Sequence, residues 1–223
     1  MSICTLELSI RKRRRPVKRI LVPAHSGHAQ GCWDWGMKHG DIVLYRKDNT
    51  LLDLMIAEVT RSIWIHAGML AWNDEARRWE ILDVQQWRGG QCTPLAEAVR
   101  RNPGHWDHFA VDWEGRWPEY NRELAVARMR EFVGRPYGWV ALARDGLSHV
   151  PVLGHWAADF KEGTKRGRRP FCSMATTIAQ ATAGIEIVHH LPHALTEPVH
   201  VAQTVVHTYR GTFYPASEEK ARA

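Results

Sequence analysis

The chain has 223 residues, 44% of them hydrophobic and 24% charged, with a formal net charge of +6; that is enough apolar mass for one full core, and no apolar run is long enough for a membrane span or a secretory signal. Seven positive charges, Arg11, Lys12, Arg13, Arg14, Arg15, Lys18 and Arg19, lie in one run, and taking them from +6 leaves about −1 for the rest, so the basic character belongs to an arm and not to the body. The four cysteines, Cys4, Cys32, Cys92 and Cys172, have no paired spacing, which argues against a disulfide framework or a cysteine zinc site and fits a reducing compartment.

Residues 1–36 mix basic, Gly, His and Pro residues without a period and are expected to form the arm; the body is expected over 37–210, and 211–223 as a polar tail. Gly40-Asp41 marks a turn into the β-branched run Ile42-Val43-Leu44-Tyr45, a buried strand. Leu51 to Glu58 fits helix or strand equally. Ser62 to Trp72 and Trp79 to Val84 read as two strands of a hairpin closed by Asn73-Asp74-Glu75. Pro94 to Arg101 reads as a short helix, and Phe109 to Trp113 as a fourth strand.

From Tyr120 to Val133, Leu124, Val126, Ala127, Met129, Phe132 and Val133 recur at helical spacing until Gly134 and Pro136 stop them. Asp145 to Arg169 is Gly-, His- and Arg-rich and reads as a loop, a candidate lid or substrate wall. Pro170 before Cys172, with small and apolar residues after it, starts a helix at the cysteine that ends at Gly184. Ile185 to Val188 and Val201 to His207 read as late strands.

A thiol in the first turn of a helix meets the positive end of the dipole and unpaired N–H groups, both of which favour the reactive thiolate. Thiolate catalysis also needs a base within hydrogen-bond reach and a third group to orient it. The order here, His66 on a strand, an acid on the next strand, a helix, then Cys172 on a helix, supplies those parts. Two acids compete for the third role: Asp83 and Glu80 differ by an odd number of residues, so the pleat sends them to opposite faces, and Asp83 is the choice.

His66-Ala67-Gly68, Gly40-Asp41-Ile42-Val43, Gly134-Arg135-Pro136-Tyr137 and Phe171-Cys172-Ser173 together resemble the circularly permuted NlpC/P60 papain-like amidohydrolases, in particular the YiiX-like branch. The resemblance covers roughly 38–208. It implies an α+β papain-like fold, a small antiparallel barrel-like sheet packed against helices, with Cys172 as nucleophile, His66 as base and Asp83 as orienting acid, although the family more often has Glu at that third place. The Cys172 N–H is the expected oxyanion donor, with Tyr137 a helper and Ser173 beside it at the oxyanion and substrate site.

The resemblance further implies a cysteine amidase or peptidase acting on a peptide or acylated substrate, peptidoglycan peptides among them, with no cofactor. Two alternatives stand beside it: a thioesterase or lipid acyl hydrolase of the same fold, and an inactive papain-like binding or structural module such as a phage particle component. The arm from Arg11 to Arg19 is a candidate contact for an anionic surface or nucleic acid. With no export signal, a cytoplasmic or virion-associated protein is expected. His189-His190-x-x-His193 and His105-x-Asp107-His108 have metal-binding residue types but no clear helical frame, and no metal is expected. The tryptophans Trp64, Trp72, Trp79, Trp87, Trp106, Trp113 and Trp117 are expected mainly to fill the core.

Overall fold

The computed structural model describes residues 18–22, 36–48, 54, 57, 58, 60–112, 114–139, 169–187 and 191–216. Residues 11–17 of the basic run, Cys4, Cys32, Trp113, nearly all of the loop before Arg169, His189, His190 and the end from Ser217 lie outside them. Seven strands form one sheet: β1 (Arg19–Val22), β2 (Ile42–Arg46), β3 (Trp64–Asn73), β4 (Arg78–Gln85), β5 (Gly89–Pro94), β6 (Trp106–Val111) and β7 (His207–Pro215). Four helices frame it: α1 (Leu95–Arg101), α2 (Arg122–Arg130), α3 (Cys172–Thr182) and α4 (Pro198–Gln203). The sheet is mixed and open, in the order β1-β7-β6-β2-β3-β4-β5, with β1 and β7 parallel and every other pair antiparallel. An α+β architecture is therefore correct. In place of the expected antiparallel barrel-like closure the sheet is open, with one parallel pair.

Both faces of the sheet are covered, which is why its central strands are apolar almost throughout instead of alternating with polar residues. Ile42, Leu44, Ala67, Met69, Leu82, Val84, Phe109 and Val111 pack with α2, α3 and α4 in one core, where Met129, Phe171, Cys172 and Ala175 meet them. Val43, Leu70, Ile81, Trp106, Phe213, Ile20 and Val22 form a second core with Leu95, Ala98 and Val99 of α1. Of the tryptophans, Trp106 is buried, whereas Trp87 is 81% exposed and packs at a tilt against Trp139 with ring centroids 4.8 Å apart.

The strand ends differ from the sequence reading in instructive ways. The sequence pattern puts Arg19–Val22 in the arm and 211–223 in the tail, yet β1 lies parallel to the end of β7, which runs to Pro215. Ile20 and Val22 alternate inward and bury almost completely. Four residues suffice for a strand when a neighbour supplies the ladder. The Asp41 carboxylate, expected only to mark a turn, is fully buried and accepts from Lys38 N (2.9 Å), Val111 N (3.1 Å), the Arg122 guanidinium (2.8 Å) and His108 Nε2 (3.0 Å). It stitches β2, β6 and α2 together.

Candidate active site

Cys172 opens α3. Its N-cap, Phe171, is extended and offers no side-chain cap, so the first-turn N–H groups have no capping oxygen, and the dipole's positive end is unopposed. The segment just before the helix is tied down by Gly138, whose N–H donates to Pro170 O at 3.0 Å. A Cβ at Gly138 would fall 2.0 Å from Arg169 O; only glycine permits that approach. The chain carrying Tyr137 is thereby fixed against the entrance to the cysteine helix.

His66 stands near the start of β3. Its partner strand β2 shifts register between Tyr45 and Arg46, and such a bulge sharpens local twist and re-aims side chains. Asp107, fully buried, anchors this corner by accepting from Arg46 Nε (2.7 Å), Trp64 Nε1 (2.8 Å) and Thr212 Oγ1 (2.6 Å). On the next strand, Asp83 Oδ2 lies 2.8 Å from His66 Nε2, and Gln85 Nε2 donates to the same oxygen at 3.1 Å. Gly68, the cross-strand partner of Asp83, leaves room for this bond. A Cβ there would lie 2.8 Å from Ile81 Cγ2 and 3.2 Å from Asp83 Cβ, tighter than packed carbons tolerate. This gives the His-x-Gly spacing a physical reason.

With Nε2 given to Asp83, Cys172 lies close enough to the His66 ring for each group to shift the other's pKa. Burial alone would raise the Cys172 pKa; the His66 charge beside it, the bond from that ring, and the N–H groups of Ala67 and Ser173 outweigh burial and lower it. For His66, burial opposes protonation, but the thiolate charge and the bonds to Asp83 and Cys172 raise its pKa to about 10. Exposure is graded: the His66 side chain is 16% exposed, Asp83 only 2%, and Cys172 as a residue 5%.

Of the two competing acids, it is Asp83 that meets His66. Glu80 faces away and accepts from Arg78 Nε, Asn73 Nδ2 and the Cys92 thiol at 2.9 Å. Burial and that carboxylate push the Cys92 thiol up to about 12. Tyr137 is buried in the same core as Cys172 and packs against Trp139 at 5.0 Å. Ser173 contributes its backbone N–H to the sulfur, while its buried hydroxyl has no partner among the described residues.

The metal candidates do not assemble. His105 stacks on Tyr45, Asp107 bonds Arg46, and His108 bonds Asp41; His193 lies near Glu186, and His189 and His190 are outside the described residues. No group of three or more His, Cys, Asp or Glu side chains among the described residues is placed to hold a metal ion.

A solved structure described as the metalloprotein YiiX from Escherichia coli O157:H7, DUF1105, superimposes with a TM-score of 0.56 at 14% identity, over 80% of this chain and 98% of that one. The chain has a YiiX-like fold. No family model and no curated protein matches it in sequence. His66 Nε2 is taken up by the Asp83 carboxylate, and no group of three ligating side chains gathers around it among the described residues, so these residues do not fit a metal. Among the described residues no helix is long and apolar enough to cross a membrane.

Proposed function

We propose that the protein is a cysteine hydrolase of the circularly permuted NlpC/P60 papain-like kind, cleaving an amide through a Cys172-His66-Asp83 triad. One observation carries the reading: a single imidazole is bonded to a buried carboxylate and lies close enough to a thiol at an uncapped helix start to lower that thiol's pKa. In this reading the Cys172 thiolate attacks the carbonyl carbon and forms a tetrahedral adduct whose oxyanion takes the Cys172 N–H, with Tyr137 beside it. That adduct collapses as His66 gives its proton to the leaving amine, and water deprotonated by His66 then frees the acyl group as acid. Asp83 holds the ring in orientation throughout. Peptides, including those of peptidoglycan, are the proposed substrate class, on the strength of the sequence resemblance alone.

The test sets reactivity against exposure. Cys92 is exposed and Cys172 buried, so exposure alone favours labelling of Cys92 over Cys172. A small thiolate-selective alkylator at pH 6 to 7, read by peptide mass spectrometry, is expected to label Cys172 first, and Cys172→Ala is expected to abolish hydrolysis of a peptide amide library. Preferential labelling of Cys92, or full hydrolysis by Cys172→Ala, rules the reading out.

A further inference from the structure

Beside the triad, on the sheet face that carries Asp83, lies a cleft of about 280 Å³ whose lining includes Asp83, Thr93, Asn102 and Trp106, with Arg88 and Arg101. Asp83 and Trp106 are buried and form its floor, while the two arginines are exposed and form its rim. Asp83 is the lone acid in the lining, and its carboxylate is taken up by His66 and by the Gln85 amide, which reaches Oδ2 at 3.1 Å and Oδ1 at 3.4 Å. Arg88 has no ion-pair partner among the described residues, and Arg101 pairs with Glu97 on the solvent side of its own helix. Thr93 and Asn102 add neutral donors. Trp106 has a buried indole N–H without an acceptor among the described residues. The cleft therefore offers cations and donors with no free anion of its own, which is the complement of a carboxylate or phosphate.

We propose that this cleft binds a small anionic group, a carboxylate or a phosphate. Trp106, part of the cleft floor, stands edge-on to the His66 ring with centroids 6.3 Å apart, so the bound anion lies on the Asp83 side of the imidazole.

The test uses Cys172→Ala protein titrated with N-acetylglycine, methyl phosphate and neutral N-acetylglycinamide, followed at the Trp106 indole N–H by NMR. Saturable binding of either anion and none of the amide is expected, and whichever anion binds more tightly names the source of the charge. Arg88→Gln with Arg101→Gln is expected to weaken that binding by about tenfold or more, the loss that comes from removing a charged hydrogen bond. Binding of the neutral amide equal to the anions, or unchanged affinity in the double variant, overturns the proposal.

Discussion

Asp83 and Glu80 lie three residues apart on β4, and that spacing alone puts one carboxylate against His66 and the other against Cys92. Each acid shifts a cysteine in the opposite sense: Asp83 raises the His66 pKa, and the His66 charge lowers that of Cys172, while Glu80, bonded directly to a thiol, raises that of Cys92 to about 12. The pH dependence has a definite sign. His66, raised to about 10 from an ordinary 6.5, contributes stability that is complete below pH 6.5 and lost as pH rises toward 10. The imidazolium is held up to near pH 10, so leaving-group protonation should fail only above it. Asp83→Asn keeps the shape and removes the charge, so the alkaline limb of hydrolysis is expected to move from near pH 10 toward neutrality. The rate at pH 8 should then fall by about 10²- to 10⁴-fold. A pH-rate profile measures this, and an unmoved alkaline limb would show that Asp83 does not hold the proton on His66.

Helix α3 is anchored at its far end by Gln180, whose Nε2 sits 2.8 Å from His207 Nε2 at the start of β7, while His207 Nδ1 faces Val201 O of α4. That geometry needs a neutral ring, and burial lowers the His207 pKa to about 4 although the Val201 bond works against it. Here the unfolded chain takes up the proton first, so stability is full above pH 6.5 and is lost as pH falls toward 4, by roughly 3 kcal/mol for a shift of this size. Urea unfolding at pH 7 and pH 4.5 should reveal that loss in wild type and a smaller one in His207→Gln; equal losses in both would assign the acid sensitivity elsewhere. Val201 to His207 reads as a strand because its β-branched residues outweigh the start signal upstream. Pro198 at the first turn and the reciprocal Glu197-His200 capping box make 198–203 a helix instead, with the strand beginning only at His207. Strand β5 is invisible in the sequence for the opposite reason: Gly89-Gly90-Gln91-Cys92-Thr93-Pro94 has little intrinsic β preference and is a strand because β4 pairs with it. Ile185 to Ile187 is apolar because Ile185 and Ile187 are buried in the helix-side core, not because it joins the sheet. By contrast β2, β3, β4, α1, α2 and the helix start at Cys172 are legible, since each has both a hydrophobic period and its own stop signal.

The whole molecule joins sequence-distant parts: His66 and Cys172 meet across more than a hundred residues, which residue types in family order could suggest but spacing alone could not determine. The same holds at the sheet's edge, where β1 covers β7 in register from Arg19 opposite Thr212 to Val22 opposite Pro215. Nothing in Arg19-Ile20-Leu21-Val22 distinguishes it from the end of a basic arm until Phe213, fully buried, requires a neighbour. The arm's charge and its last four residues therefore have separable roles. Removing residues 1–17 spares β1 and its ladder to β7 and should therefore leave the protein melting well above the longer truncation. Removing residues 1–22 strips Ile20 and Val22, at 2% and 5% exposure, from the second core, a loss of roughly 3–6 kcal/mol in apolar burial. It also uncovers the β7 strand, whose free N–H and C=O groups invite pairing with another chain. The longer truncation should then melt far lower and appear as oligomers in size-exclusion chromatography with light scattering, while the shorter one does not. If both truncations melt together with the full chain, β1 is dispensable and the sheet is complete without it. If both are equally damaged, residues before Lys18 support the fold, and the basic run has a structural role besides its charge.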